Sequence, residues 1–156
     1  MKLHSGHIQS AVVQLLNYRV YTVVPNVFVS YNHEADLIAI KDGKLTEIEI
    51  KISISDLKAD FKKPHRNKQS QTISRLIYAF PEIMLEKAIP HIPLGCGIIT
   101  VKEVIISNTR LYVAKWYRQA RHNNFARPYP KQIEELMRLG CMRIWSLKAH
   151  NNKGLS

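Results

Sequence analysis

Three residues in one short stretch of this chain could carry out hydrolytic chemistry together: Asp36, Glu49 and Lys51. They flank Asp42-Gly43, a dipeptide that favours a two-residue turn between antiparallel strands. With those residues in the turn, Lys41 faces Lys44, Asp36 lies across from Glu49, and Glu34 across from Lys51. Opposed residues point to the same side, and side chains alternate along each strand. One face therefore carries Glu34, Asp36, Glu47, Glu49 and Lys51; the other carries Leu37, Ala39, Ile48, Ile50 and Ile52 and suits packing under a helix. Like charges directly opposite each other destabilise a sheet. A hard divalent cation, Mg2+ or Mn2+, resolves the conflict between Asp36 and Glu49, because such ions take carboxylate oxygens and keep several waters. The backbone carbonyl of Ile50 is a further oxygen donor. Lys51 stands within reach of a bound water or a phosphate oxygen, so metal, water, lysine and scissile phosphate make a complete hydrolytic set. The plainer alternative is an amphipathic hairpin with a charged, solvated outer face.

The elements that must position these residues follow from periodicity and punctuation. Ile8, Val12, Leu15 and Leu16 predict a helix over Ser5 to Tyr18. Val20 to Tyr31 is β-rich, with Pro25-Asn26 marking a bend or an edge position. The hairpin arms are Glu34 to Lys41 and Lys44 to Ile52. Ser53 is an N-cap with Asp56 three residues on, Ile52 and Leu57 are placed to form a hydrophobic staple, and Pro64 ends the helix whose buried face includes Leu57 and Phe61. His65 to Thr72 predicts an exposed basic loop, and Ile73 to Phe80 a strand, followed by a short helix near Pro81 to Lys87. Cys96 to Val101, Val104 to Ser107 and Leu111 to Trp116 are strand-like, with Arg118 to Tyr129 irregular. A long helix from about Lys131 should turn Ile133, Leu136, Met137, Gly140, Ile144 and Leu147 inward. The order α-β-β-β-α-β, with further strands and a closing helix, is that of one mixed α/β domain over residues 1–156.

Charge narrows the class of partner. The chain has 156 residues, with 23 Lys and Arg against 12 Asp and Glu, a formal net charge of +11. Such an excess points to a polyanion, most often nucleic acid. Residues 1–33 carry no acid, whereas seven of the 12 acids lie between Glu34 and Asp60. Lys58, Lys62, Lys63, Arg66 and Lys68 form a basic run suited to the DNA backbone. Lys115, Arg118 and Arg121, interleaved with Trp116 and Tyr117, form a second basic belt, where aromatic rings could stack on bases. No apolar stretch is long enough to span a membrane, since Pro90, His91 and Pro93 interrupt the most apolar one. The first residues lack an apolar signal core, so a cytoplasmic location is expected. Two cysteines, Cys96 and Cys141, make no disulfide framework. The seven histidines stand at no recognised zinc spacing relative to them.

Glu34-Ala35-Asp36, a turn, then Glu49-Ile50-Lys51 resembles the signature of the PD-(D/E)XK, or restriction-endonuclease-like, nuclease superfamily: an acid on one strand and acid-x-Lys on the next. The run Ile52 to Lys63 is similar to small phage and bacterial members, in which the catalytic strand continues into a Ser- and Asp-capped helix ending in lysines. Arg75 to Glu82 and Gly97 to Val101 are similar to the later core strands of those proteins. The resemblance implies a restriction-endonuclease-like core, a mixed central sheet flanked by helices, in a bacterial or phage-infected cell. It implies Mg2+- or Mn2+-dependent hydrolysis of DNA phosphodiesters, with Asp36 and Glu49 as metal ligands. Lys51 would orient or help deprotonate the attacking water and stabilise transition-state charge. The superfamily's proline is absent before Asp36. The first helix lacks the acid many members place there, so His7, Gln9 or Gln14 would substitute, with Glu34 as a further accessory residue. An endonuclease of low sequence preference or structure selectivity is the leading expectation. An exonuclease or junction resolvase on the same core, or a DNA-binding module with a degenerate site, is the alternative. Short members often dimerise to cut two strands, which makes a homodimer the natural assembly to test.

Overall fold

The computed structural model describes residues 3–30, 33–63 and 71–153. In chain order the elements are α1 (Ser5–Leu16), β1 (Thr22–Ser30), β2 (His33–Lys41), β3 (Lys44–Ile50), α2 (Ile54–Phe61), β4 (Ile73–Pro81), α3 (Leu85–Ala88), β5 (Gly97–Ile106), β6 (Thr109–Arg118) and α4 (Pro130–Lys153). The expected mixed α/β order, with a C-terminal helix, is present. The six strands lie in sequence order across one sheet. β3 and β4 run parallel, as do β4 and β5; the other neighbours are antiparallel.

The Asp42-Gly43 turn has φ values of 51° and 69°, the left-handed pair that a two-residue hairpin needs. It sets the expected register from Lys41 opposite Lys44 to Leu37 opposite Ile48. Leu37, Ala39, Ile48 and Ile50 accordingly pack with Ile77, Ala79, Ile99 and Val101 under Ile8, Ala11, Val12 and Leu16 of α1. Asn17 closes that helix at φ 61°, earlier than the expected Tyr18.

The other face of the sheet is divided. α2, through Leu57, and α3 with the turn before it, through Ala88 and Met84, cover Tyr78, Phe80 and Ile98. α4 covers Val24, Val27, Ala35, Ile38, Ile40 and Leu45 through Leu136. Between these two apolar clusters β3 presents Glu47 and Glu49, both buried, so that part of the acidic face is a polar seam and not a solvated surface.

Four expectations change. The two strands expected over Cys96 to Val101 and Val104 to Ser107 are one continuous strand, β5 (Gly97–Ile106), whose turn to β6 is Ser107-Asn108 at φ 48° and 63°. Asparagine tolerates the left-handed region well, and the pair replaces the more familiar glycine turn. Ile52 is 45% exposed, so it leaves both the face under α1 and the proposed staple with buried Leu57. Met137, Ile144 and Leu147 are exposed, because α4 meets the sheet chiefly through Ile133, Leu136 and Leu139 at β1 and β2. Gly140 has a packing reason: a Cβ there would stand 3.3 Å from a Val24 methyl. Finally, side-chain alternation breaks in β1 and β2, with consequences for the site.

Among the described glycines, Gly97, at the start of β5, is the tightest. An added Cβ would lie 3.0 Å from Ile77 Cγ1 and 3.1 Å from both Cβ and the backbone N of Ala120. Gly97→Ala should cost about 1–3 kcal/mol, the usual penalty of overpacking, in urea unfolding. A change below about 0.5 kcal/mol would show that the strand entry yields freely.

Candidate functional site

Val24 and Val27 in β1, and Ala35 and Ile38 in β2, all enter the same apolar cluster. A spacing of three is incompatible with strict alternation, so each strand loses one step between those residues. The irregularity centres on Asn26, at φ 47°, and on Asp36, which would face it. Regular pairing of β2 with β3 stops at Leu37 opposite Ile48. There the Asp36 carboxylate accepts a 2.7 Å hydrogen bond from the Ile50 backbone N, taking the place of a ladder partner. The first acid is thus held against the middle residue of Glu49-Ile50-Lys51 through a side chain.

The lost step also exchanges residues between faces. Glu34, expected beside Lys51, is exposed; His33, buried at 7% exposure, takes the inward place. Its Nε2 lies 2.6 Å from Glu47 Oε1 and 3.7 Å from Glu49 Oε1. One ligating atom from each of these three residues falls within 4.8 Å of the others. The donor set, one imidazole nitrogen and two carboxylates, is one that could hold a divalent metal ion.

On the other side of Glu49 lies the lysine. Lys51 Nζ donates to Glu49 Oε2 at 2.9 Å and to Asp60 Oδ1 at 3.1 Å. Asp60, 1% exposed, stands one turn along α2 from Leu57 and also accepts from Tyr78 Oη at 3.0 Å. Ser53 fixes the start of α2 by accepting from the Asp56 backbone N at 3.1 Å, as the N-cap pattern predicts. The cap therefore helps aim Asp60 at Lys51.

Burial alone would lower the pKa of Lys51, but the Glu49 and Asp60 carboxylates outweigh it and hold the ammonium above its ordinary 10.5. A lysine raised on folding contributes stability that is full below its unfolded pKa and fades as pH climbs through the folded one. The melting-temperature gap between wild type and Lys51→Met should therefore hold steady from neutral pH to about 10 and narrow only above it. A gap that is already closing near pH 9 would contradict the pairing.

The other residues singled out by sequence are dispersed. Gln9 Nε2 reaches the Asp36 carbonyl at 3.4 Å and Asn26 Oδ1 at 3.1 Å, so α1 does touch the irregularity. His7 stacks on Tyr112 of β6, ring centroids 4.1 Å apart. Gln14, like Lys58, Lys62 and Arg121, is exposed. Lys63 pairs with Asp60 at 3.1 Å. Arg66 and Lys68 lie outside the described residues. Lys115 pairs with Glu82. The Arg118 guanidinium donates to the Cys96 carbonyl at 2.9 Å and the Pro93 carbonyl at 2.8 Å, ties that fasten the chain before β5 to the end of β6. His33 and Asp60 were not singled out.

Residues 4–150 match the family described as DNA repair protein MmcB-like. The chain belongs to that family. MmcB-like membership suggests a DNA-processing function and agrees with the basic charge. The fold has a solved counterpart in the SPO1766 protein of unknown function from Silicibacter pomeroyi, 16% identical, with a TM-score of 0.69 over 99% of this chain and 96% of that one. At that identity the likeness concerns the fold alone. No curated protein matches the chain. Among the described residues of this MmcB-like chain, no helix is long and apolar enough to cross a membrane.

Proposed function

We propose that this MmcB-like protein is a metal-dependent DNA phosphodiester hydrolase of the PD-(D/E)XK superfamily. Its leading mode is endonucleolytic, with low sequence preference or with structure selectivity. The observation that carries the reading is the clasp between β2 and β3: Asp36 bonded to Ile50 N, with Glu49 and Lys51 on either side of that residue and joined by a 2.9 Å hydrogen bond. Two acids from adjacent strands, and the lysine that directly follows β3, are thereby held around one peptide unit.

Asp36, Glu49 and the Ile50 carbonyl would hold Mg2+ or Mn2+. When bound, the ion would acidify a water and offset phosphate charge. The protein's own groups supply position and field. Lys51, kept charged by Glu49 and Asp60, presents a fixed cation to a phosphate oxygen or an attacking water. Its raised pKa argues for orientation and charge stabilisation and against a role as the proton acceptor. Lys58, Lys62 and Arg121 are exposed and would meet the DNA backbone by charge, which implies salt-sensitive affinity.

The test is nicking of supercoiled plasmid with Mg2+, with Mn2+ and with chelator. Cleavage should require the ion and fall at least about a hundredfold in Asp36→Asn, whereas DNA retardation persists. Retardation without cutting under every ion would replace this reading with that of a DNA-binding module.

A further inference from the structure

We propose that His33, Glu47 and Glu49 form a divalent-cation site that prefers first-row transition ions, with Mn2+ as the probe, over Mg2+. The proposal rests on the nuclease reading only in that Glu49 would serve both sites.

The two oxygens of Glu49 face different neighbours. Oε2 receives Lys51 at 2.9 Å, whereas Oε1 looks towards His33 Nε2 at 3.7 Å. The His33 side of the carboxylate is therefore separate from the lysine side, and the donors gathered there are His33, Glu47 and Glu49, without Asp36. With metal–ligand bonds of about 2.1 Å, neighbouring donors around one ion stand about 3 Å apart. The separations of 2.6 Å and 3.7 Å from His33 Nε2 to the two glutamates bracket that spacing, so small rotamer changes suffice to admit an ion.

Burial makes the group an unusual place for carboxylates. His33, Glu47 and Glu49 are 7%, 4% and 3% exposed, and taking carboxylates out of water costs several kcal/mol each unless charge or donors compensate. The imidazole enters only because β2 loses one step of alternation at Asp36; in a regular strand Glu34 would occupy the inward side and the donors would all be oxygen. That replacement decides selectivity. Mg2+ favours oxygen ligands and gives up water reluctantly, whereas imidazole nitrogen suits the transition series.

The experiment titrates the purified full chain with Mn2+ and with Mg2+ by calorimetry and records electron spin-echo modulation on the Mn2+-loaded protein. One Mn2+ should bind at least about tenfold more tightly than Mg2+. The spectrum should show nitrogen coupling from a directly bound imidazole. His33→Gln should retain fold by circular dichroism, lose the nitrogen coupling and bind Mn2+ about tenfold or more weakly; Glu47→Gln should weaken Mn2+ similarly with the coupling reduced. Absence of Mn2+ binding, bound Mn2+ without nitrogen coupling, or coupling that survives in His33→Gln would each overturn the site. Plasmid cleavage separates the two readings. Cutting without nitrogen coupling defeats this proposal and spares the nuclease; coupling without cutting does the reverse.

Discussion

Replacing Lys51 with methionine is expected to reduce Mg2+-dependent DNA cleavage by at least about two to three orders of magnitude and to lower folding stability by about 3–5 kcal/mol. Both effects come from one ammonium. Lys51 is 4% exposed and bridges Glu49 and Asp60, themselves 3% and 1% exposed. Methionine fills much of the same volume, so the loss measures charge more than packing. The two acids would then face each other across a low-dielectric seam without the cation they share, the situation in which removing one partner of a buried pair is most costly. Urea unfolding followed by circular dichroism gives the stability, and plasmid nicking the activity. Lys51→Arg separates the roles: it restores charge but presents a planar fork in place of a compact ammonium. It should recover much of the stability and little of the cleavage. Methionine tolerated at under about 1 kcal/mol would show the network to be slack. Cleavage within tenfold of wild type would remove lysine from the chemistry.

How far such a network is visible in the sequence depends on where local rules hold. The hairpin was legible because Asp42-Gly43 specifies its turn, and the turn fixes which residues of the two arms stand opposite each other. From Leu37 to Lys41 the inferred pairs are the observed ones. One residue earlier the rule fails. The irregularity at Asn26 and Asp36 is a tertiary adjustment that lets Val24 and Val27 both meet α4, and period-two counting cannot anticipate a lost step. Everything upstream changes face as a result, which is why Glu34 was expected at the site and His33 was not.

Asp60 was missed for a different reason. It sits in the charged run Lys58 to Lys63, whose lysines read as contacts for the DNA backbone, yet Leu57 and Phe61 define the buried face of α2. Asp60 lies three residues from Leu57, and residues three apart on a helix share a face. An acid on the inward stripe, next to a strand bearing a lysine, was a readable signal. For α4 the error ran the other way. The apolar period continues to Leu147, but the inward contacts are made by the half of the helix around Ile133 to Gly140. Ile144, Trp145 and Leu147 remain exposed, so the pattern alone overstated how much of the helix the sheet could cover.

Asp60 also offers the sharpest separation of positioning from mere structure. Asp60→Ala is expected to destabilise the protein by about 3–5 kcal/mol, because it breaks a buried pair and leaves space beside the Lys51 ammonium. Asp60→Asn should cost less, since an amide oxygen can still accept from Lys51 or from Tyr78 Oη, which lies 3.0 Å from the native carboxylate. Removing the Tyr78 hydroxyl in Tyr78→Phe should cost about 1.5–3 kcal/mol, the value of a hydrogen bond to a charged group. The informative measurement is cleavage by Asp60→Asn as a function of pH. Asp60 is one of the two carboxylates that hold the Lys51 pKa up against burial, so neutralising it should bring that pKa down. Lys51 would then lose its proton at a lower pH in the variant, and the alkaline limb of the cleavage profile should move the same way. Cleavage at neutral pH should fall about 10–100-fold, the range typical for a residue that orients a neighbour in a site. A variant that is less stable but keeps its alkaline limb in place would make Asp60 a folding residue only, and would detach α2 from the chemistry of β3.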